Sequence, residues 1–267
     1  MRIGFIGTGA MVSAIVRGAV AAGISATDFV LTNRTGARAA ALAEEVGASW
    51  APSNTSLAQQ VDIVVLGVKP QVQSAVIREI AEVVREREST VVSIAAGRTI
   101  GAIVTDFGVG VPVVRVMPNV NALIGRSMTG ICSAEVDPEV LAVVTRLMES
   151  VGTTVTLDEK DFPAFSALAG CSPAWVFQII DSLARTGVKY GLPKATAVRI
   201  AAQAVAGSAD LVLAEGAKGV VPAQLIDRVT SPGGTTIAGL LAGEEAGLST
   251  ALLHAVDAAV ARDAQLG

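Results

Sequence analysis

Aromatic side chains are scarce: Phe, Tyr and Trp together make up 3% of the 267 residues, against 51% for hydrophobic residues as a whole. The apolar mass is therefore Ala, Val, Leu and Ile, which suits closely packed helices and β-branched parallel strands. There are two cysteines, Cys132 and Cys171, and one histidine, His254. Two distant thiols make no disulfide framework, and with a single imidazole they offer no metal-ligand cluster, so no metal is expected. Positive charge is neither abundant nor clustered: 20 Lys and Arg against 24 Asp and Glu give a net charge of -4 and a pI near 5.1. That leaves no basic patch of the kind phosphate backbones require, and nucleic acid is not an expected partner. Mean hydropathy is +0.57, and the longest uncharged run, Phe162 to Ile180, approaches bilayer-spanning length. It contains Pro163, Ser166, Gly170, Ser172, Pro173 and Gln178, which an isolated spanning helix would not choose, so the run is expected to be buried and no membrane partner is expected. Met1 and Arg2 lead straight into a strand-like run with no room for a signal peptide, and the protein is expected to be cytoplasmic.

From Arg2 to about Thr156, short Val- and Ile-rich runs alternate with amphipathic stretches. The runs are Ile3 to Ile6, Phe29 to Thr32, Asp62 to Gly67, Thr90 to Ile94, Val113 to Met117 and Thr153 to Leu157. Such alternation predicts βαβ units and a parallel sheet, each strand followed by a covering helix. One intervening stretch carries Val72, Val76, Ile80 and Val83/Val84 at helical spacing, with Arg78, Glu79, Glu82 and the run Arg85 to Glu88 on its other faces and end. After Leu157 the strand-like runs stop, and long Ala-rich segments follow, broken at Gly191-Leu192-Pro193 and Gly219-Val220-Val221-Pro222. The last helix, Leu248 to Ala264, places Leu248, Leu252, Val256 and Ala259/Val260 on one stripe. The fold class is α/β: an N-terminal doubly wound sheet of Rossmann type over 1–157, then an all-α domain over 158–267.

Gly7-Thr8-Gly9-Ala10-Met11-Val12 follows the first strand and opens a helix. In that context two glycines permit a tight turn and let a pyrophosphate approach the helix N-terminal amides. The third glycine of the usual fingerprint is replaced by Val12. At the end of the second strand, where NAD-preferring domains carry an acidic residue, stand Asn33, Arg34 and Thr35. A guanidinium with amide and hydroxyl donors suits a 2′-phosphate, which points to NADPH and leaves NADH open; Arg34 as a solvated residue and Thr35 as a helix cap is the plainer alternative. Val68-Lys69-Pro70 ends another strand, at the carboxyl edge where doubly wound sheets bind ligands, and is placed near the nicotinamide half. Ala95-Ala96-Gly97 and Met117-Pro118-Asn119 end two later strands, with Asn119 placed to bond the carboxamide or the substrate; either segment reads equally well as an ordinary loop. In the helical half, Ser231-Pro232-Gly233-Gly234-Thr235 reads as a tight turn into a helix, whose consecutive amides can grip a carboxylate, or else as a loop in which Thr235 or Thr236 caps that helix.

The run from Asp227 to Leu240, Asp-Arg-Val-Thr-Ser-Pro-Gly-Gly-Thr-Thr-Ile-Ala-Gly-Leu, closely resembles the signature of pyrroline-5-carboxylate reductases. Gly7-x-Gly9-x-Met11, Asn33-Arg34-Thr35, Val68-Lys69-Pro70-Gln71, Val116-Met117-Pro118-Asn119, and Gly191-Leu192-Pro193 followed by Gln203 and Gly207 agree in order and spacing, so the resemblance covers essentially the whole chain. It implies NAD(P)H-dependent reduction of the C=N bond of 1-pyrroline-5-carboxylate, a small cyclic imino acid, to proline. It also implies a two-domain subunit that forms a homodimer or higher oligomer through its helical domain. By matching position it puts Gly7, Thr8, Gly9, Ala10 and Met11 on the pyrophosphate and Asn33, Arg34, Thr35 and Asn54 at the adenosine end. Val68, Lys69, Pro70, Ala95 and Gly97 fall on the nicotinamide side. Thr230, Ser231, Gly233, Gly234, Thr235 and Thr236 fall on the substrate, in similar enzymes often beside the cofactor of the other subunit.

A protonated cyclic imine is already a good hydride acceptor, so such an enzyme must chiefly hold the nicotinamide C4 against the imine carbon in a water-poor cleft. A sequence with one histidine, near its C-terminus, suits that demand. The candidate catalytic group is the Thr236 hydroxyl, which orients the imine nitrogen or passes it a proton from water. Departures fall on the substrate side. Where similar enzymes carry Ser-Gly-Ser-Gly-Pro-Ala and an aromatic, this chain has Ala169-Gly170-Cys171-Ser172-Pro173-Ala174-Trp175, which makes Cys171 a substrate-side candidate or simply a small buried residue. Asn121 replaces a proline and Lys194 an arginine. Three rivals stand beside the main reading: a reductase of another cyclic imine, a β-hydroxyacid dehydrogenase with a lysine base such as Lys189 or Lys194, and a non-catalytic NADPH-binding protein.

Overall fold

The structure, a computed structural model, describes residues 1–108 and 110–263. Its contacts divide the chain into two compact units, Met1–Cys171 together with the end of the last helix from Ala259, and Ser172–Ala258. The expected boundary at 157/158 marks the end of the sheet, but Phe162 and Phe165, buried just beyond it, belong to the first unit. Phe165 packs so closely on Gly130 that a Cβ there would lie 2.9 Å from its ring.

In the first unit β1 (Ile3–Ile6), α1 (Ala10–Ala21), β2 (Phe29–Thr32), α2 (Gly36–Val46), β3 (Ser49–Trp50) and α3 (Asn54–Ala58) form one half of the sheet and its cover. β4 (Ile63–Leu66), α4 (Pro70–Glu86), β5 (Thr90–Ser93), α5 (Ile100–Phe107), β6 (Val113–Met117), β7 (Ser127–Ala134), α6 (Pro138–Glu149), β8 (Gly152–Thr156) and α7 (Phe162–Phe165) complete it. The strand order is β3-β2-β1-β4-β5-β6-β7-β8, and the direction of winding reverses between β1 and β4, the switch point at which such sheets bind ligands. The sheet is not wholly parallel as expected: β7 runs antiparallel to β6, which a short turn at Val120–Ile124 permits because no crossover helix is needed. Neither β7 nor the two-residue β3 was expected. β7 mixes Ser, Thr, Gly and Cys, and only Ile131 and Cys132 among its side chains join the hydrophobic core.

Successive residues of each strand face opposite layers. Ile63 and Val65 of β4 pack with α1, α2 and α6 through Ile15, Leu42 and Leu147. Val64 and Leu66 pack with α3, α4 and α5 through Leu57, Ile77 and Ile103. Each of these buried aliphatic side chains contributes about 1.5–3 kcal/mol relative to exposure. The stripe expected on α4 is rotated: Val76, Ile80 and Val84 are buried, but Val72 is 45% exposed and Gln73 is fully buried in its place. Val72 faces a cavity at the end of the sheet, so it leaves the core stripe and the amide enters.

The second unit consists of α8 (Ser172–Lys189), α9 (Lys194–Gly216), α10 (Pro222–Val229), α11 (Thr235–Glu245) and most of α12 (Leu248–Asp263), with breaks where Gly191-Leu192-Pro193 and Val221-Pro222 stand. Ala264, the expected end of the last helix, lies outside the described residues. α8 and α9 approach closely, and a Cβ on Gly187 would lie 2.9 Å from that of Ala197. Two helical stretches, Glu159–Lys189 and Lys194–Gly216, are long and apolar enough to cross a membrane by length and composition alone. The expectation that 162–180 is buried needs correction: Phe162, Phe165, Ala167, Ala169 and Pro173 are, but Leu168 and Phe177 are more than half exposed. They lie on the outward face of their helical turns, which the single chain leaves uncovered.

Candidate active site

At the carboxyl ends of β1, β2 and β4 lies a cavity of about 730 Å³. Its floor is the turn from β1 into α1. Gly7 adopts φ +96°, donates its N–H to the Thr32 carbonyl at 2.8 Å, and passes so near Gly67 that a Cβ would lie 2.9 Å from the Gly67 oxygen. Gly9 is the N-cap of α1, whose first turn has no side-chain cap, and a Cβ on it would meet nothing within 4 Å. The open N–H groups of α1 therefore face unfilled space, with the helix dipole favouring an anion there. Thr8 lines the cavity with its hydroxyl buried and, among the described residues, without a hydrogen-bond partner. Ala10 and Met11 form the first turn of α1 beneath, Met11 packing on the core. Val12, where the fingerprint has its third glycine, is accommodated from the other side: a Cβ on Gly67 would sit 2.3 Å from Val12 Cγ2. The close helix–strand approach usually given by that glycine is here given by Gly67.

The far wall carries positive charge. Asn33, Arg34, Arg38 and Lys69 all line the cavity, and among the described residues none of the three cations has an ion-pair partner. Arg38 escaped the sequence reading, although its place in the first turn of a helix that starts at Gly36 was a usable signal. Thr35 is the N-cap of α2 but makes no side-chain cap bond. Asn54 lines the cavity with its amide donated to Glu79 at 2.6 Å, so Glu79 orients it. Val68 completes this wall, and Pro70 begins α4 behind it.

Ala95 and Gly97 lie in the loop after β5, both buried, Gly97 with φ +71°. Gly97 lines a second cavity, of about 450 Å³, with Thr99, Arg115 and Glu159. Arg115, hidden in a valine-rich strand and passed over in the sequence, is 4% exposed; it pairs with Glu159 at 3.0 Å and lies 4.4 Å from the centre of the Phe162 ring. Glu159 also accepts the Ile100 N–H at 2.7 Å, holding the start of α5. Opposite Arg115 on β7, burial first and then the Glu159 charge push the Cys132 thiol up to about 11, Arg115 opposing. Asn119 is committed to structure: its amide donates to the Ala169 carbonyl at 2.8 Å and its side-chain oxygen accepts the Asn121 N–H at 3.0 Å. That ties it to the turn that carries Cys171, a π-helical stretch over Ser166–Cys171 of the kind found often at functional sites.

In the helical unit, Thr230 ends α10 with its hydroxyl on the Ile226 carbonyl at 2.9 Å. The chain then turns through Gly233 at φ +68°, and the Gly234 N–H closes the turn on the Ser231 carbonyl at 3.0 Å. A Cβ on Gly234 would fall 2.4 Å from the Ser231 hydroxyl and 3.1 Å from its carbonyl oxygen, so a side chain there would turn that hydroxyl away. α11 starts at Thr235 with Gly234 as its N-cap, no side-chain cap and no acidic residue in the first turn. Thr235 and Thr236 are thus the first two residues of the helix rather than caps, both exposed, and the first-turn N–H groups have no intrahelical acceptor. Open N–H groups at a helix start can accept an anion such as a carboxylate.

Whether these residues fit a dinucleotide can be judged from the cavity itself. An orphaned buried hydroxyl, an uncapped helix start, room above Gly9 and three unpaired cations together suit an anionic ligand with phosphates at two places.

Comparison with known proteins gives consistent relatives. A family model described as pyrroline-5-carboxylate reductase dimerisation matches residues 159–266, and one described as NADP oxidoreductase, coenzyme F420-dependent, matches residues 2–97. A curated pyrroline-5-carboxylate reductase of Corynebacterium melassecola is 35% identical over 99% of this chain and 98% of its own length. The solved pyrroline-5-carboxylate reductase of Coxiella burnetii superposes with a TM-score of 0.92 at 32% identity, covering 100% of this chain and 98% of that one. The pyrroline carboxylate reductase of Plasmodium falciparum, solved with NADP bound, superposes with a TM-score of 0.87 at 29% identity, covering 100% and 98%.

Proposed function

The chain belongs to the pyrroline-5-carboxylate reductase family, and from that premise we propose how its own residues carry out the NADPH-dependent reduction of 1-pyrroline-5-carboxylate to L-proline. The observation that carries the reading is the uncapped turn at Thr230–Thr236, a carboxylate grip in a chain related to these reductases over its full length. NADPH, when bound, supplies a hydride from its nicotinamide C4. Gly7, Thr8 and Gly9 with the first turn of α1 hold its pyrophosphate, and Asn33, Arg34, Arg38 and Asn54 hold the adenosine end with its 2′-phosphate. Val68, Lys69 and the Ala95–Gly97 loop form the nicotinamide side. The α11 N–H groups fix the substrate carboxylate through charge-assisted bonds, and Thr236 presents its hydroxyl to the imine nitrogen. Positioning in a water-poor site supplies most of the acceleration, since the protonated imine needs no strong acid; His254, the one histidine, is exposed on α12.

Subunits associate through the helical domain. We assign to that association the outward apolar faces of the helices, and place the enzyme in the cytoplasm. The π-helical turn at Ala169–Cys171 sits where the family resemblance implies a different sequence, and that departure supports a second reading in which a neighbouring cyclic imine is the better substrate.

The test is NADPH oxidation by purified protein with 1-pyrroline-5-carboxylate, beside NADH and 1-piperideine-6-carboxylate, in wild type and Thr236→Ala. Rapid NADPH-dependent turnover that falls about 10- to 100-fold in the variant, the loss of one hydrogen bond to a charged group, is expected. Faster turnover of the six-membered imine would establish the second reading. No turnover on either imine, with NADPH demonstrably bound, would overturn both.

A further inference from the structure

One buried polar cluster is left over by the proposed chemistry. Gln73 lies one turn into α4, on the face where Val76, Ile77, Ile80 and Val84 are buried in the core, yet it is an amide with no exposure. Its Nε2 donates to the Ser93 hydroxyl at 3.0 Å, and its Oε1 accepts from Arg98 Nε at 3.2 Å. Ser93, also fully buried, is the last residue of β5 and accepts the Ala95 N–H at 3.4 Å. The Arg98 guanidinium continues to Asp106 of α5, and Asp106 takes a further bond from Ser74, beside Gln73, at 2.7 Å. These partners fix the amide orientation, because a flipped Gln73 would set a donor against Arg98.

The bonds run to both ends of one loop. Ser93 stands just before Ala95–Gly97 and Arg98 just after it, so Gln73 holds the loop at its two feet. Gln73 is also within one helical turn of Pro70, where α4 starts directly after Val68 and Lys69, the opposite nicotinamide-side wall. A hydrophobic residue here would satisfy the core; an amide satisfied only by this loop fixes a separation.

We propose that Gln73 is a positioning residue that sets the distance between the two walls flanking the nicotinamide, with Arg98 and Asp106 completing the clamp. The inference rests on the reading that Ala95–Gly97 and Val68–Pro70 lie on the nicotinamide side. Cofactor affinity, set by the pyrophosphate and 2′-phosphate contacts, is untouched by the clamp, whereas the geometry of hydride transfer depends on it.

The test compares wild type with Gln73→Met, which keeps the volume and removes both bonds, and with Gln73→Glu, which still accepts from Arg98 and accepts the Ser93 hydroxyl. The readouts are kcat, KM for NADPH, the primary isotope effect with 4-deuterated NADPH, and the emission and anisotropy of NADPH bound without substrate. The Met variant is expected to lose about tenfold in kcat, at the cost of a sub-ångström misplacement, with KM within twofold, a larger isotope effect and lower nicotinamide anisotropy. The Glu variant is expected to recover to within about threefold of wild type, both of its bonds being remade. An unchanged isotope effect and anisotropy in the Met variant overturns the proposal. So does an equal loss in both variants that follows their melting temperatures. If wild type turns over no imine, the assigned reaction fails, while the anisotropy of bound NADPH still decides the role of Gln73.

Discussion

Replacing Gly67 by alanine probes the contact that stands in for the missing third glycine. The new Cβ would lie 2.3 Å from Val12 Cγ2 and 3.1 Å from the Gly7 carbonyl oxygen. Carbon–carbon contacts relax at about 3.5–4.0 Å, so the start of α1 must retreat by roughly 1.2–1.7 Å. Overpacking of this kind costs about 1–3 kcal/mol, a fall of roughly 2–12 °C in Tm for a chain of this size. The same retreat carries the α1 amides away from the pyrophosphate. Loss of a single bond to a charged oxygen, about 1.5–3 kcal/mol, raises the Kd for NADPH by about 10- to 100-fold. Val12→Ala removes the obstructing methyls and by itself costs about 1–3 kcal/mol. In the double variant the alanine Cβ fills part of the space vacated, so the combined loss should be smaller than the sum by about 1 kcal/mol or more. Thermal melts and fluorescence titrations with NADPH on the four proteins decide it. Additivity within about 0.5 kcal/mol, or an unmoved Kd in Gly67→Ala, would refute the assignment of the glycine's role to Gly67.

Thr8→Val replaces an unpartnered buried hydroxyl by a methyl, so the melting temperature without cofactor should hold or rise while NADPH affinity falls by about tenfold; a melting loss worth more than 1 kcal/mol would show that the hydroxyl has a partner after all. Arg38→Ala should raise KM for NADPH by about tenfold or more and leave KM for NADH alone, since only the former carries a 2′-phosphate; equal changes would remove Arg38 from that subsite. Cys132, buried and pushed up to about 11, has only about 0.1% thiolate at pH 8 and should resist a disulfide reagent until urea opens the fold. Labelling of native Cys132 would contradict the burial on which that value depends.

The sheet was legible wherever both faces of a strand are covered, because continuous Val and Ile runs mark such strands: β1, β2 and β6 begin and end where the sequence predicts. β7 was not, since its apolar side chains are interspersed with Ser, Thr and Gly and form no continuous run. Of the residues that line the cavity at the switch point, the glycine turn and Arg34 were legible, because the spacing itself encodes backbone shape or charge. Glu79 in the cavity and Gln73 in the core were not, because a helical period says which residues share a face but not whether that face meets a core or a cavity. Val72 shows the same ambiguity from the other side, an apolar residue at core spacing that faces the cavity.

The helical unit shows a different limit. Its stripes could be read, but the side chains buried in it are small ones, Ala184, Ala197 and Ala201 together with Pro173, while Phe177, Leu183, Ile200, Leu213, Leu241 and Leu253 are all more than half exposed. Small inside and large outside inverts the arrangement of a self-sufficient domain, whose large aliphatic side chains do most of the burying. Gly187 against Ala197 lets α8 and α9 approach closely, but such a seam removes little apolar area from water. Apolar surface on this scale suits an interface, and the match of the helical half to a dimerisation family supports a second copy as its partner. Whether an apolar stripe is core or interface depends on a neighbour that lies outside the sequence of the chain, which is why the uncharged run Phe162–Ile180 reads as buried in the sequence and yet carries Leu168 and Phe177 exposed on the single chain.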